Sequence, residues 1–362
     1  MKVKENNFFD FFIFLPTILI MALGLLNLWS IARASEHFSI FIKQLIWNVL
    51  AILGMFVVYF LKENFIKKII IPLYILSIFS LTAVLLWGSY IGGAKRWFKF
   101  YLISFQPSEL SKLALILILA YLLTNAKTKE FFISLVLTLI PIALIIKEPD
   151  LGMSILHLFV WFIMVLFSKI KIIYPLSIVG IGAGSAPIIY SFFLEDYQKA
   201  RILSFINPEH YAQGAAYNVI MAQNAVGSGG IFGRGFLVSP SVNGMFVPKI
   251  ETDFVFSAFA EQFGFLGTIL IIIAFGIIIF RVLLYQTYYK NAFWKFVSVG
   301  ISATFMFHIF ENIGMNIGIT PVTGIPLPFF SYGGSSTFIF GVMIGFLLKA
   351  QALSDKLKRR RT

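Results

Sequence analysis

The chain contains no cysteine, which excludes disulfides, thiolate metal sites and cysteine nucleophiles and leaves the redox compartment open. Charge is scarce too, with Asp, Glu, Lys and Arg at 12% of the 362 residues where soluble domains carry about a quarter. The four histidines, His37, His157, His210 and His308, show no metal-ligand spacing and are read as bland. No repeat, low-complexity linker or soluble-domain composition interrupts residues 1–362, which read as one membrane domain.

What the chain has is apolar length. Hydrophobic residues make up 59% and mean hydropathy is +0.89, the composition of an all-α polytopic membrane protein. Ten apolar segments approach the roughly 20 residues, at the least about 17, that cross a hydrocarbon core. They run near 11–31, 43–61, 69–87, 108–124, 131–147, 151–168, 172–194, 254–284, 293–317 and 331–349. Lys2 and Lys4 ahead of the first, and Ala32-Arg-Ala34 after it, resemble a signal peptide. That apolar run is longer than a signal h-region of about 7–15 residues, so a retained helix is expected.

A net charge of +13 would suit nucleic acid, but the bases lie in short loops and in the tail at about 350–362, a pattern of membrane orientation. With both termini in the cytoplasm, 18 Lys and Arg fall inside and 10 outside, Lys112 lying within the fourth helix. The long loop at about 195–253 is free of this rule because long loops translocate regardless of charge. The short outer loop with Lys95, Arg96 and Lys99 is not, which points to a task for its charges.

The polar motifs concentrate on that outer side. Phe246–Gly267 sets Glu251 and Asp253 before a very apolar helix and Glu261 inside it; acids near a bilayer core are functional candidates, while Thr252-Asp253 also suits a helix cap. Gly92-Gly-Ala-Lys-Arg-Trp97 joins a turn to two cations that suit phosphate and an indole that suits a sugar; an interfacial anchor is the alternative. Gln106-Pro-Ser-Glu-Leu-Ser-Lys112 opens the fourth helix, with Glu109 favoured in its first turn and Lys112 on the same face. That pair is either structural or presents a lysine to a cavity. Lys147-Glu-Pro-Asp-Leu-Gly152 reads as a turn carrying two acids. Gly227–Gly235 is no P-loop; it could cradle phosphate with backbone N–H groups or be a flexible turn. Glu311, Asn312 and Asn316 lead into the Pro/Gly-rich stretch Thr320–Ser336, expected to wall a cavity or form a re-entrant loop.

Taken in order, Gly92–Phe98, Gln106–Lys112, Pro149–Gly152, Tyr197–Arg201, Gly227–Gly235, Thr252–Gly267 and Asn312–Ser336 resemble the SEDS family of cell-wall glycosyltransferases over nearly the whole chain. The short N-terminus and Val322–Pro328 are most similar to its elongation-associated branch. The resemblance implies a peptidoglycan polymerase of the bacterial inner membrane acting on lipid II, the undecaprenyl-pyrophosphate-linked disaccharide peptide. It implies membrane lipids, a class B penicillin-binding protein and other elongation-complex proteins as partners, and no nucleic acid. It also implies a required aspartate at Asp253, and substrate contacts from Trp97, Arg96, Glu109, Lys112, Arg201, Ser331, Gly333 and Gly334. The chain departs from the family pattern at Lys249 and Glu251, where Glu and His are usual, at Met221, where Gln is common, and at Glu148, where Gln is usual.

The mechanism expected is inverting transfer at the outer leaflet: Asp253 as base, Arg96, Lys112 and Arg201 toward the pyrophosphate, and a divalent cation, Mg or Mn, as helper without a protein metal site. Two rivals exist. A flippase of the lipid-linked precursor would also use Glu109, Lys112 and Glu311, but the one-sided motifs and the lack of an inverted repeat favour chemistry at a face. A noncatalytic scaffold would explain the helices and not the acids.

Overall fold

The computed structural model describes residues 9–91, 94–100, 103–124, 127–192, 194–208, 210–211, 216–244, 246–286, 289 and 291–358. Lys2, Lys4, Gly92, Gly93, Gln213 and the tail residues Arg359–Arg361 lie outside them. All ten apolar segments fall on helices. These are α1 (Phe11–Ala34), α2 (Phe38–Phe60) and α3 (Glu63–Trp87), then α4 (Pro107–Leu123), α5 (Thr128–Lys147), α6 (Leu151–Leu166) and α7 (Ile173–Phe192). The long loop contributes α8 (Asp196–Ile206), α9 (Tyr217–Ser228) and α10 (Pro240–Asn243) before α11 (Val255–Tyr285), α12 (Ala292–Ile317) and α13 (Gly334–Lys358).

Seven of the ten, α1, α2, α3, α5, α11, α12 and α13, are long and apolar enough to cross a membrane by those measures alone. The expected count of ten is not reached that way, because α4 has 17 residues and α6 has 16 and α7 is met only as a shorter apolar stretch, Ile173–Ile188. For α4 the reason is its place in the bundle. It is buried from Pro107 through Ala120 apart from Leu110 and packs against α3, α12, α6, α5 and α13. A helix that is apolar all round can be a core helix rather than a lipid-facing one.

Two features depart from the sequence reading. The segment with Arg96 is an antiparallel sheet of β1 (Ser89–Ile91), β2 (Ala94–Phe100) and β3 (Ile103–Phe105) in the order β1-β2-β3, not a bare turn. And α11 is not one straight helix, for Gly264 takes φ 64° and ψ −164° inside it. Such a break frees backbone groups that must be satisfied within the protein at membrane depth. Residues 230–235 meet them: Arg234 and Gly235 N–H donate to the carbonyls of Glu261 and Gln262, and Phe265 and Leu266 N–H donate to those of Gly230 and Ile231.

Candidate functional site

Asp253 closes a tight turn ahead of α11. The carbonyl of Lys249, a non-glycine residue at φ 55°, accepts from the N–H groups of Thr252, Asp253 and Phe254 at 3.1, 3.1 and 3.2 Å. The Asp253 carbonyl accepts from Asn316 Nδ2 at 3.0 Å and Asn312 Nδ2 at 3.2 Å, while Asn316 Oδ1 receives Ser257 N–H at 3.0 Å. These two amides, one turn apart on α12, therefore hold the start of α11 in register with α12. Asn27 of α1 donates to the Val255 carbonyl at 3.0 Å. The N-cap residue of α11 is Phe254, and no side chain makes a cap bond there. The reading of Asp253 as a helix cap is thereby excluded.

Ser331 pins the neighbouring segment. Its hydroxyl donates to the Thr252 carbonyl at 2.8 Å and accepts from Leu327 N–H at 2.9 Å, and Tyr332 N–H donates to the Glu251 carbonyl at 2.9 Å. The stretch 320–333 is non-helical and forms a wall, as its proline and glycine content led us to expect. Together these pieces enclose a cavity of about 600 Å³. Arg96, Trp97, Glu109, Arg201, Asp253 and Gly333 all line it, beside Lys249, Glu251 and Ser336. An adjoining cavity of about 270 Å³ shares Arg201, Lys249 and Asp253 with it.

Three of the nine site residues expected from sequence do not face that space. Ser331 is 2% exposed and acts through the turn it pins; Gly334 packs against Trp47. Lys112 is buried behind Glu109, its Nζ 2.6 Å from Glu109 Oε2, 3.3 Å from His308 Nε2 and 4.0 Å from the centre of the Phe340 ring. His308 Nδ1 lies 2.8 Å from the Pro326 carbonyl, so with its proton given there Nε2 is left to accept from the ammonium. His308, set aside in the sequence as bland, thus ties the buried ion pair of α4 to the cavity wall. Nothing in its spacing marks it, because the partners come from distant helices. Glu261 is likewise apart from Asp253. It takes hydrogen bonds from Ser228 Oγ, Ser239 Oγ, Ser241 Oγ and Ser241 N–H and anchors the long loop between α7 and α11.

The electrostatics follow from burial. Desolvation raises Asp253 above the usual aspartate range, opposed by Lys249, whose Nζ is 3.8 Å from Oδ2, then by the Thr252 hydroxyl and Arg201. A carboxylate so raised is a better proton acceptor than one in water. Arg96 is committed elsewhere: Nε donates to the Glu148 carbonyl at 2.7 Å, Nη2 to the Pro149 carbonyl, and Nη1 sits 3.5 Å from Asp150 Oδ2. It braces β2 against the turn between α5 and α6. Among the described residues no three acidic or histidine side chains converge as a metal site. The arrangement offers a base beside cations and an indole, the components of group transfer from a phosphorylated donor.

Comparison with known proteins gives the family and the fold. Residues 7–356 match the FtsW/RodA/SpoVE family, described as cell cycle proteins. The chain is 34% identical over 297 residues to the peptidoglycan glycosyltransferase MrdB of Escherichia coli K12, covering 79% of each chain. A solved structure described as the structural coordination of polymerization and crosslinking by a peptidoglycan synthase complex contains a chain that is similar at TM-score 0.80 and 27% identity, with 96% of this chain and 98% of that one covered. The crystal structure of the Thermus thermophilus rod shape determining protein RodA is similar at TM-score 0.71 and 28% identity, with 96% and 97% covered.

Proposed function

From the premise that this chain belongs to the FtsW/RodA/SpoVE family, we infer that it is a peptidoglycan glycosyltransferase of the elongation type, a multi-pass protein of the bacterial inner membrane. The observation that carries the reading is the common cavity, in which Asp253 shares one space with Lys249, Arg201 and Trp97. The substrate we propose is lipid II. A sugar 4-hydroxyl attacks the anomeric carbon of the donor and its proton passes to the Asp253 carboxylate. The new C–O bond forms as the bond to the lipid pyrophosphate breaks, the leaving group departing with the electron pair toward the cations. The indole of Trp97 gives a sugar face something to lie on. Lipid tails enter laterally between helices.

The partner we propose is a class B penicillin-binding protein, the crosslinking half of a two-part machine, together with other elongation-complex proteins and membrane lipids. A Mg or Mn ion, if it helps, arrives on the diphosphate oxygens, since the described residues offer it no cluster of their own. Relatives named as glycosyltransferases favour transfer over the flippase reading.

Asp253→Asn tests the base directly. Asn matches Asp in size, and the carboxylate makes no cap bond to α11, so the fold is expected to survive. Positioned proton transfer contributes typically 10²–10⁴-fold, and we expect glycan polymer from lipid II to fall by about that factor while the protein purifies and binds lipid II as before. Near-normal polymer would remove Asp253 from the chemistry. Translocation of lipid II by the wild type without polymer would point to the flippase.

A further inference from the structure

The cations expected to receive the pyrophosphate are largely engaged. Lys112 is 1% exposed and paired, Arg96 is spread over three groups of the 148–150 turn, and Arg201 Nη1 donates to the Val322 carbonyl at 3.1 Å. The start of α13, a 25-residue helix, meets the same cavity at Gly333 and Ser336. Its first i to i−4 bond is Thr337 N–H to the Gly333 carbonyl. The N–H groups of Gly334, Ser335 and Ser336 have no acceptor among the described residues, as the first turn of any helix leaves them, and no acidic side chain sits in that turn to satisfy the dipole.

A second observation marks this terminus as a site. Ser336 lines the cavity at 7% exposure and its hydroxyl has no hydrogen-bond partner among the described residues, although buried polar groups are nearly always paired. The end of the helix is also held firmly. Gly334 packs so close to Trp47 that a Cβ would lie 2.1 Å from the indole nitrogen, and Gly333 N–H donates to Gln44 Oε1 at 3.2 Å. A preformed cradle of N–H groups at a helix start is a natural anion site. Lys249 lines the same cavity with its side chain 54% exposed, and its nearest charge, Asp253, is 3.8 Å away. That leaves the ammonium able to turn toward a bound anion.

We propose that the α13 N-terminus, through Ser336, the residue of its first turn that lines the cavity, with the unpaired N–H groups of that turn behind it and Lys249 as counter-charge, is the seat of the donor's lipid-linked diphosphate. This deepens the glycosyltransferase reading and rests on it. The seat places the leaving group against fixed dipoles, which stabilise charge as it develops and need no rearrangement at the moment of transfer.

The test uses the full-length purified chain in detergent with three probes: undecaprenyl diphosphate, inorganic pyrophosphate and undecaprenol. The wild type should prefer undecaprenyl diphosphate to undecaprenol. Ser336→Ala and Lys249→Gln should each lower diphosphate affinity about tenfold, or about 1.4 kcal/mol, without changing undecaprenol binding. Ser336→Thr, which keeps a hydroxyl, should restore part of the loss; Lys249 is exposed, so its variant reports even if position 336 disturbs the fold. Wild-type diphosphate affinity in both Ser336→Ala and Lys249→Gln would overturn the proposal, as would a wild type that does not distinguish the diphosphate from the alcohol. Inorganic pyrophosphate binding as tightly as the lipid diphosphate would reassign the site to free phosphate. Polymer from lipid II is scored alongside. Polymerisation by a chain whose diphosphate affinity ignores Ser336 and Lys249 sinks the seat and spares the transferase. Ser336-dependent diphosphate binding in a wild type that makes no polymer spares the seat and sinks the transferase.

Discussion

Glu148 is wholly buried in the turn between α5 and α6, and neither carboxylate oxygen has a hydrogen-bond partner among the described residues. Burial, with Asp150 adding to it and Arg96 opposing it, pushes its pKa up to about 8. At neutral pH the side chain is therefore mostly an uncharged acid, close in shape and polarity to the glutamine usual at this place in the family. Burial restores a neutral residue where the sequence shows a charge. The folded state keeps a proton that the unfolded chain releases above its ordinary 4.5, so this group's contribution to stability falls as pH rises from about 4.5 to about 8. Glu148→Gln should keep polymerase activity and flatten that decline. Thermal unfolding of both proteins at about pH 5 and about pH 8, near the two ends of that window, checks it, and equal slopes would show that Glu148 does not carry the proton. Asp253 was legible in the sequence for the opposite reason, since an acid at the mouth of an apolar run is costly wherever the chain folds. Ser336 and His308 were not, because a hydroxyl or imidazole is ordinary until its surroundings are known.

The glycine run Gly227–Gly235 left two readings open in the sequence, phosphate cradle or flexible turn, and the structure supplies a third. It is a strap laid on the broken part of α11. A Cβ on Gly233 would sit 2.2 Å from the Gln262 carbonyl oxygen, and its φ is 80°, a conformation that costs an L-residue about 1–2 kcal/mol before any clash. Gly227, at the end of α9, has nothing within 4 Å. Gly233→Ala should thus destabilise the protein by more than about 2 kcal/mol, and Gly227→Ala should be neutral or slightly stabilising because alanine is the better helix former. Unfolding midpoints in detergent decide the matter; equal midpoints for the two variants would mean that the strap does not hold α11. The sequence showed the elements well, since helices of this length are written in apolar runs. It did not show the break at Gly264, because a helix interrupted by a partner strap and one that runs straight have the same hydropathy. Nor did it show how the wall at 327–332 reaches Asp253, for the bond from Ser331 to Thr252 spans 79 residues.

At the scale of the molecule, the bases sort into two populations by end of the bundle. The cavity end gathers the starts of α4, α11 and α13, and its bases are engaged: Lys95 Nζ donates to the Leu86 carbonyl at 2.7 Å, Arg96 braces the 148–150 turn, Arg201 bonds Val322, Arg234 Nε donates to the Ser228 carbonyl at 3.2 Å, and Lys249 faces Asp253. Lys95 and Arg96 are two of the three short-loop charges from which the sequence led us to expect a task, and bracing the fold at this end is what their contacts do; Arg201, Arg234 and Lys249 lie in the long loop, which the orientation rule exempts. The opposite end carries Lys62, Lys67, Lys68, Lys127, Lys129, Lys169 and Lys171 beside helix ends that share no wall with the cavity, and the proposed function sets this end in the cytoplasm. The helix α4, about 25 Å long at 1.5 Å per residue, separates the two populations, with Gln106 and Glu109 on the cavity and Lys127 just past its far end. Reporters fused after Lys358 and within Lys127–Lys129 should therefore report from the cytoplasm, and one inserted near Gln213 from the outside. Were the C-terminus external, the cavity would open to the cytoplasm, Asp253 would face the wrong leaflet for polymerising an exported donor, and the outer-face transfer proposed for this chain would fall with the topology.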